Sequence, residues 1–388
     1  MNQHLRLLVL SAVALVFVAS GCVAAPMVEQ ADTTCAWSTE LLGAELDSEH
    51  PTNLVFPDTS ANYWMSQVPM GPSTELTISG NVSDVRYWSL HTYVGGDGFT
   101  SALDHVNDAS ISSEADGSWK VRITPEGGSD ANHLAGLPAG RDAGISWVVL
   151  RSYLPDDASL PIGPHELPTI QISSGRSGVT LELCDPHRVV SPVTRIPEPT
   201  EGSGSETPVQ RPLSFSRTPS AATPFPNADT AYLAAPAVRL EGSVLVVRGR
   251  APSFPGDGTG ATTESAQLRY WSFCQFGMPS TSAVECVSDS DVPLDESGYY
   301  TIVVSDPSDR PQNADTQHDV AWLPWGREVQ AQIGLRNMLP SADFDASAFA
   351  VPTRSIADDT NMGDFAPRAA MCPTAVFEAS GHSGCGLA

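Results

Sequence analysis

One stretch occurs twice. Arg86-Tyr87-Trp88-Ser89-Leu90-His91-Thr92-Tyr93 returns as Arg269-Tyr270-Trp271-Ser272-Phe273-Cys274-Gln275-Phe276. Repetition at this distance constrains the fold before any other feature, because each copy must find its own hydrophobic core. The correspondence runs well beyond the stretch itself. Phe56-Pro57-Asp58 with Tyr63 matches Phe225-Pro226-Asn227 with Tyr232, and Leu76 to Gly80 (LTISG) matches Leu245 to Gly249 (LVVRG), at one offset of 169 (Phe56 to Phe225). An insertion from Pro252 to Gln267 moves the offset to 183 (Arg86 to Arg269). Downstream, Asp116-Gly117-Ser118-Trp119 answers Ser297-Gly298-Tyr299-Tyr300, Leu137-Pro138 answers Leu323-Pro324, and the segment beginning Leu150-Arg151 answers that beginning Leu335-Arg336.

The landmarks read as strands and tight turns. WKVRI and YTIVV are rich in β-branched and aromatic residues, with apolar residues at every second position, and each follows a glycine turn. No long helical periodicity interrupts them after the N-terminal segment. The expected fold is all-β: two tandem antiparallel β-sandwich or jelly-roll domains related by internal duplication, each about 140 residues, an ordinary domain size. Residues 35–187 form the first and 223–350 the second. Residues 188–222, loaded with Pro, Ser, Thr and Gly, read as a flexible linker that cannot bury enough apolar surface to order itself. Residues 351–388 read as an irregular tail.

At the N-terminus, Arg6 precedes an apolar run, Leu7 to Val18, too short for a comfortable membrane span. Residues 1–21 therefore read as a signal peptide, and Ala19-Ser20-Gly21-Cys22 resembles the bacterial lipobox. That resemblance implies lipidation of Cys22, with residues 22–34 as a tether. Val23, rather than Asp, after the cysteine resembles the sorting pattern of Gram-negative lipoproteins and by that resemblance implies the outer membrane. Ordinary cleavage after Ala24 or Ala25, giving a secreted or periplasmic protein, is the alternative. Of seven cysteines, lipidation of Cys22 leaves six. Six permit 15 pairings, and pairing nearest partners joins Cys35 to Cys184, Cys274 to Cys286 and Cys372 to Cys385, as suits an oxidising compartment.

The charge is one-sided, with 20 basic against 45 acidic residues and a net charge of −25. Such a surface repels phosphate backbones, so nucleic acid is not an expected partner. Loop acids Asp104, Asp108, Asp289, Asp291, Asp306 and Asp309 could supply oxygen ligands to calcium, although none falls in an EF-hand pattern. No nucleophile elbow, HExxH, CxxC, P-loop or dinucleotide fingerprint is present, so no catalytic, cofactor or metal residue is assigned. Ser89 and His91 share a strand face, but Cys274 replaces the histidine in the second copy and the pair reads as structural. The residues common to both copies, Arg86 with Trp88 and Arg269 with Trp271, are either a ligand platform of stacking rings and guanidinium groups or core anchors with their flanking arginines.

At RYWSLHTY, DGSWKVRI, Leu137-Pro138 and Arg151-Ser152-Tyr153-Leu154-Pro155, the first copy resembles the bacterial family numbered twelve-fourteen among the domains of unknown function. The second copy keeps Trp271-Ser272, Ser297-Gly298, Leu323-Pro324 and Leu335-Arg336, but has Ser297 for the aspartate of the turn and Met338 where Tyr153 stands. The resemblance implies a β-rich, jelly-roll-like domain of envelope proteins and transfers no catalytic residue. The expected function is a non-catalytic binding or structural component of the cell envelope, anchored through its lipid and meeting an envelope protein or polysaccharide. The alternative is a carbohydrate-active protein, binding or hydrolytic, with a groove in one or both copies.

Overall fold

The computed structural model describes residues 35–43, 46, 53–81, 85–94, 102–155, 167–175, 177–184, 210–219 and 224–387. The signal segment, Cys22, the tether, the Gly95–Gly98 loop and most of the linker lie outside them. The first unit contains β1 (Thr39–Leu42), β2 (Ala61–Met70), β3 (Thr74–Asn81), β4 (Val85–Val94), β5 (Ala102–Asn107), β6 (Ser118–Thr124), β7 (His133–Ala135), β8 (Gly144–Pro155), β9 (Thr169–Ser174) and β10 (Ser177–Thr180). The second contains β11 (Arg211–Ser214), β12 (Ser216–Arg217), β13 (Thr230–Val238), β14 (Ser243–Arg250), β15 (Leu268–Met278), β16 (Ala283–Ser288), β17 (Tyr299–Ser305), β18 (Val320–Pro324), β19 (Gln330–Pro340) and β20 (Arg368–Pro373), with helix α1 (Thr374–Gly384).

Each unit stacks two five-stranded sheets. The orders are β1-β2-β8-β4-β5 and β10-β9-β3-β6-β7 in the first, β12-β13-β19-β15-β16 and β11-β20-β14-β17-β18 in the second. Position for position the orders coincide. Even the exceptions repeat: β6–β7 and β17–β18 are the parallel pairs, and the β4–β5 and β15–β16 ladders both slip at the residue before the last aromatic of the repeated stretch. The duplication read from the sequence is therefore a duplication of topology in every strand but one edge, where β10 follows β9 but β11 comes from the start of the second unit.

The tryptophans of the repeat lie between the sheets. Trp88 is 1 % exposed and stacks on Trp119 at 5.0 Å, and Trp271, equally buried, lies 5.6 Å from Tyr300. The glycines that close LTISG and LVVRG make room for those partners. A Cβ on Gly80 would stand 2.5 Å from the Trp119 ring, and one on Gly249 would meet the Tyr300 hydroxyl. On β6 alternation is clean, with Trp119, Val121 and Ile123 inward and Lys120 and Arg122 outward. On β17 it fails, because α1 and its surroundings cover the outer face: Val303 packs with Val246, Ala370 and Phe377.

Two expected boundaries need correction. Residues 351–388 are not an irregular tail: β20 pairs with both β11 and β14 inside a sheet. Likewise 188–222 is not linker throughout, since β11 and β12 belong to the second unit. Arg368-Ala-Ala-Met-Cys-Pro373 is buried from Ala369 to Cys372, so it lacks the polar-apolar alternation that marks a half-buried strand. Disulfides join Cys35 to Cys184, Cys274 to Cys286, and Cys372 to Cys385. The first links the two ends of the first unit, and the last fixes α1 against β20.

Gly80→Val is expected to destabilise the first unit by about 1 to 3 kcal/mol through overpacking against Trp119, read as a lower urea midpoint by tryptophan fluorescence. Replacing Cys35 and Cys184 together by Ser should cost about 2 to 4 kcal/mol, mostly by freeing the unfolded chain, and an unchanged midpoint would show that the bridge constrains little.

Candidate functional site

The two units meet face to face through the sheets that carry the repeated stretch, and the contacts are reciprocal. Arg86 of the first unit pairs with Asp289 of the second at 3.3 Å, and Arg269 of the second pairs with Asp108 of the first at 2.5 Å. Phe56 packs edge-on against Phe276 at 5.2 Å, and Phe225 against Tyr93 at 5.3 Å. Arg336 donates to the Phe56 carbonyl at 2.6 Å, and Arg151 to the Phe225 carbonyl at 2.7 Å. Both phenylalanines have positive φ, 59° and 47°, a conformation that side chains other than glycine resist. In each case the guanidinium of the opposite unit holds the carbonyl in place.

Arg86, Trp88, Arg269 and Trp271 therefore form no ligand platform. The rings fill the two cores, while the arginines two residues earlier, on the same strand face but at the strand's start, reach past the sandwich to the partner unit's aspartates. The acids expected in loops also have partners, and Asp104 lies on β5 rather than in a loop. Asp104 accepts from the His105 and Ala135 amides, Asp291 from Ser288 Oγ, Asp306 from the Ser308 amide and Arg239, and Asp309 from the Gly242 amide.

Behind each Phe-Pro loop lies a buried polar centre. In one, Asp58 accepts from Ser272 Oγ (2.7 Å) and Tyr270 OH (3.0 Å) and lies 3.3 Å from Arg336, all from the second unit. The Cys274–Cys286 disulfide sits alongside, with Arg336 NH1 2.7 Å from Cys274 Sγ. Asp58 and the two sulfurs lie close together, but the sulfurs are bonded to each other and a guanidinium adjoins the carboxylate. The arrangement is a covalent and ionic lock rather than a cation site.

The other centre uses the same backbone with different chemistry. Asn227 stands for Asp58, Ser89 for Ser272, Tyr87 for Tyr270 and Arg151 for Arg336. His91 and His105, cross-strand neighbours on β4 and β5, occupy the positions of the cystine, their rings 4.9 Å apart and nearly parallel. Asp229 accepts from Tyr87 OH (2.7 Å) and Asn107 Nδ2 (2.9 Å) and lies 3.2 Å from His105 Nε2. Burial works to raise the Asp229 carboxyl, but the bonds from His105, Tyr87 and Asn107 outweigh it and hold it below the usual range. The hydrogen bond to Asp229 raises His105. Burial, then the charges of Arg151 and His105, push His91 well below the ordinary histidine range, so its buried ring is neutral.

Sequence reasoning singled out the arginines and Ser89 with His91 but did not bring the two copies together. The available signal was the pairing of Phe-Pro-Asp and Phe-Pro-Asn with matched arginines and tyrosines, residues that a solvated sandwich face does not require.

No family model and no curated protein matches the sequence. Among solved structures, the chain is similar to an uncharacterised protein from Burkholderia cenocepacia, with 14% identity, a TM-score of 0.54, and coverage of 90% of this chain and 84% of that one. It also matches the VPA0106 protein from Vibrio parahaemolyticus, with 12% identity, a TM-score of 0.43, and coverage of 81% and 89%. The first likeness shows a shared all-β fold.

Arg336→Ala should cost about 3 to 5 kcal/mol, because it leaves the Asp58 carboxylate buried without its counter-charge; equilibrium urea unfolding measures it. A pH effect follows from Asp289, whose carboxyl burial pushes up to about 6 against the pull of Arg86. Because this lies above the unfolded value of about 3.9, the folded state holds the extra proton between the two, and the group favours folding as pH falls through that window. The stability of the natural protein relative to Asp289→Asn should therefore rise between pH 7 and pH 4.5, and a flat difference would place the carboxyl at its ordinary value.

Proposed function

We propose that the chain is a non-catalytic structural or binding component of the bacterial cell envelope, held at the membrane through lipid on Cys22. The observation that carries this reading is the fate of the duplicated residues. Trp88 and Trp271 are buried in the cores, while Arg86, Arg269, Arg151 and Arg336 are engaged between the units. The residues that define the repeat thus assemble the molecule rather than face a substrate. Three disulfides suit an oxidising compartment, and the net charge of −25 suits a solvated surface that excludes polyanions. The lipobox-like Ala19-Ser20-Gly21-Cys22 and the resemblance to the envelope family support the address.

Metabolic labelling with an alkyne palmitate, followed by membrane fractionation, tests it. The natural chain should carry the label and sediment with membranes, while Cys22→Ser should lose both properties. An unlabelled, soluble natural chain would overturn the anchor.

A further inference from the structure

Besides the cystine and the histidine pair, the two polar centres differ where Asn227 replaces Asp58. Asp58 Oδ1 accepts from the Ser60 amide at 3.0 Å, which leaves Oδ2 to receive Ser272 Oγ, Tyr270 OH and Arg336 NH1. Asn227 Oδ1 accepts from the corresponding amide, that of Asp229, also at 3.0 Å. That bond fixes the orientation of the side-chain amide and sets Asn227 Nδ2, a donor, where Asp58 has its acceptor. Ser89 Oγ and Arg151 NH1, the counterparts of Ser272 and Arg336, are buried with no hydrogen-bond partner among the described residues, and so is Asn227 Nδ2. Tyr87 turns away instead, to Asn227 Oδ1 and Asp229.

His91 adds to the imbalance. Its Nε2 accepts from the Ala228 amide at 3.1 Å, so the neutral ring carries its proton on Nδ1. That atom too is buried and unpartnered. Arg336 has Asp58 as its counter-charge, whereas the nearby Asp229 is committed to His105, Tyr87 and Asn107. Arg151 NH2 has the Phe225 carbonyl, but a buried guanidinium whose NH1 is unmet and whose charge is unbalanced is costly. An anion removes both defects at once.

We propose that this centre binds a monatomic anion, a halide such as chloride, held by Arg151 NH1, Asn227 Nδ2, Ser89 Oγ and His91 Nδ1 in the role that Asp58 Oδ2 fills in the other centre. All four atoms are closed off from solvent, which favours a monatomic ion over a polyatomic oxyanion. The site joins the units, because Asn227 comes from one and the other three residues from the other. Halide thereby stabilises their docking.

Bromide is the probe. The purified full chain is refolded in gluconate buffer and titrated with bromide at constant ionic strength, following the thermal midpoint, and is also crystallised in bromide. The natural chain should gain stability saturably and show an anomalous peak among the four donors. Asn227→Asp, which supplies its own carboxylate as Asp58 does, should lose the response and the peak. Ser89→Ala should weaken the bromide midpoint about tenfold, the loss of one bond to a charged group. It keeps the test decisive if Asn227→Asp fails to fold. Equal responses in the natural chain and a folded Asn227→Asp, an unchanged midpoint in Ser89→Ala, or water rather than bromide among the donors would overturn the proposal.

Discussion

Two arginines buried between the units, Arg151 and Arg336, set the terms for the rest of the structure. Stripping a guanidinium of water is expensive unless its donors are met and its charge is balanced. Each therefore takes a carbonyl from the opposite Phe-Pro loop, which turns that loop inward, seats its phenylalanine against the opposite sheet and delivers an Asp or Asn to the centre behind. The outer pairs, Arg86 with Asp289 and Arg269 with Asp108, sit nearer the rim. Without the buried pair they would be partly hydrated contacts of small worth.

Much of the scaffold is legible in the sequence, since Trp88 and Trp271, the glycines at 80 and 249, and the alternation on β6 announce sandwiches directly. The tail was not legible, for a physical reason. A strand covered on both faces loses alternation, and Ala369 to Cys372 reads as featureless. The interface was hidden differently. Tyr87, Ser89, His91 and Arg151 lie on the alternate positions that a solvated face would occupy, and only the arrival of the other unit makes them interior. Equal spacing in the two copies marked these residues as important without saying that each copy completes the other.

Reciprocal contacts of this kind are those of an isologous dimer, here within one chain. In a dimer of identical subunits, one residue has to serve both centres. Fusion removes that constraint, and the centres have parted: a cystine, Cys274 with Cys286, and a carboxylate in one, a histidine pair and an amide in the other. Docking inside one chain is also independent of protein concentration, as it could not be for separate halves.

The placement of β20 bears on how the molecule is made. It lies between β11, which precedes the body of the second unit, and β14, near that body's start. The ribosome must therefore release the other strands of the second unit before the inner strand of that sheet is available, while β9, the counterpart in the first unit, emerges long before. During synthesis the first unit can close early, and until β20 emerges the second exposes the unpaired edges of β11 and β14, a surface prone to pairing with the wrong strand. Export of an unfolded chain, with folding deferred until every strand has crossed, would avoid that interval.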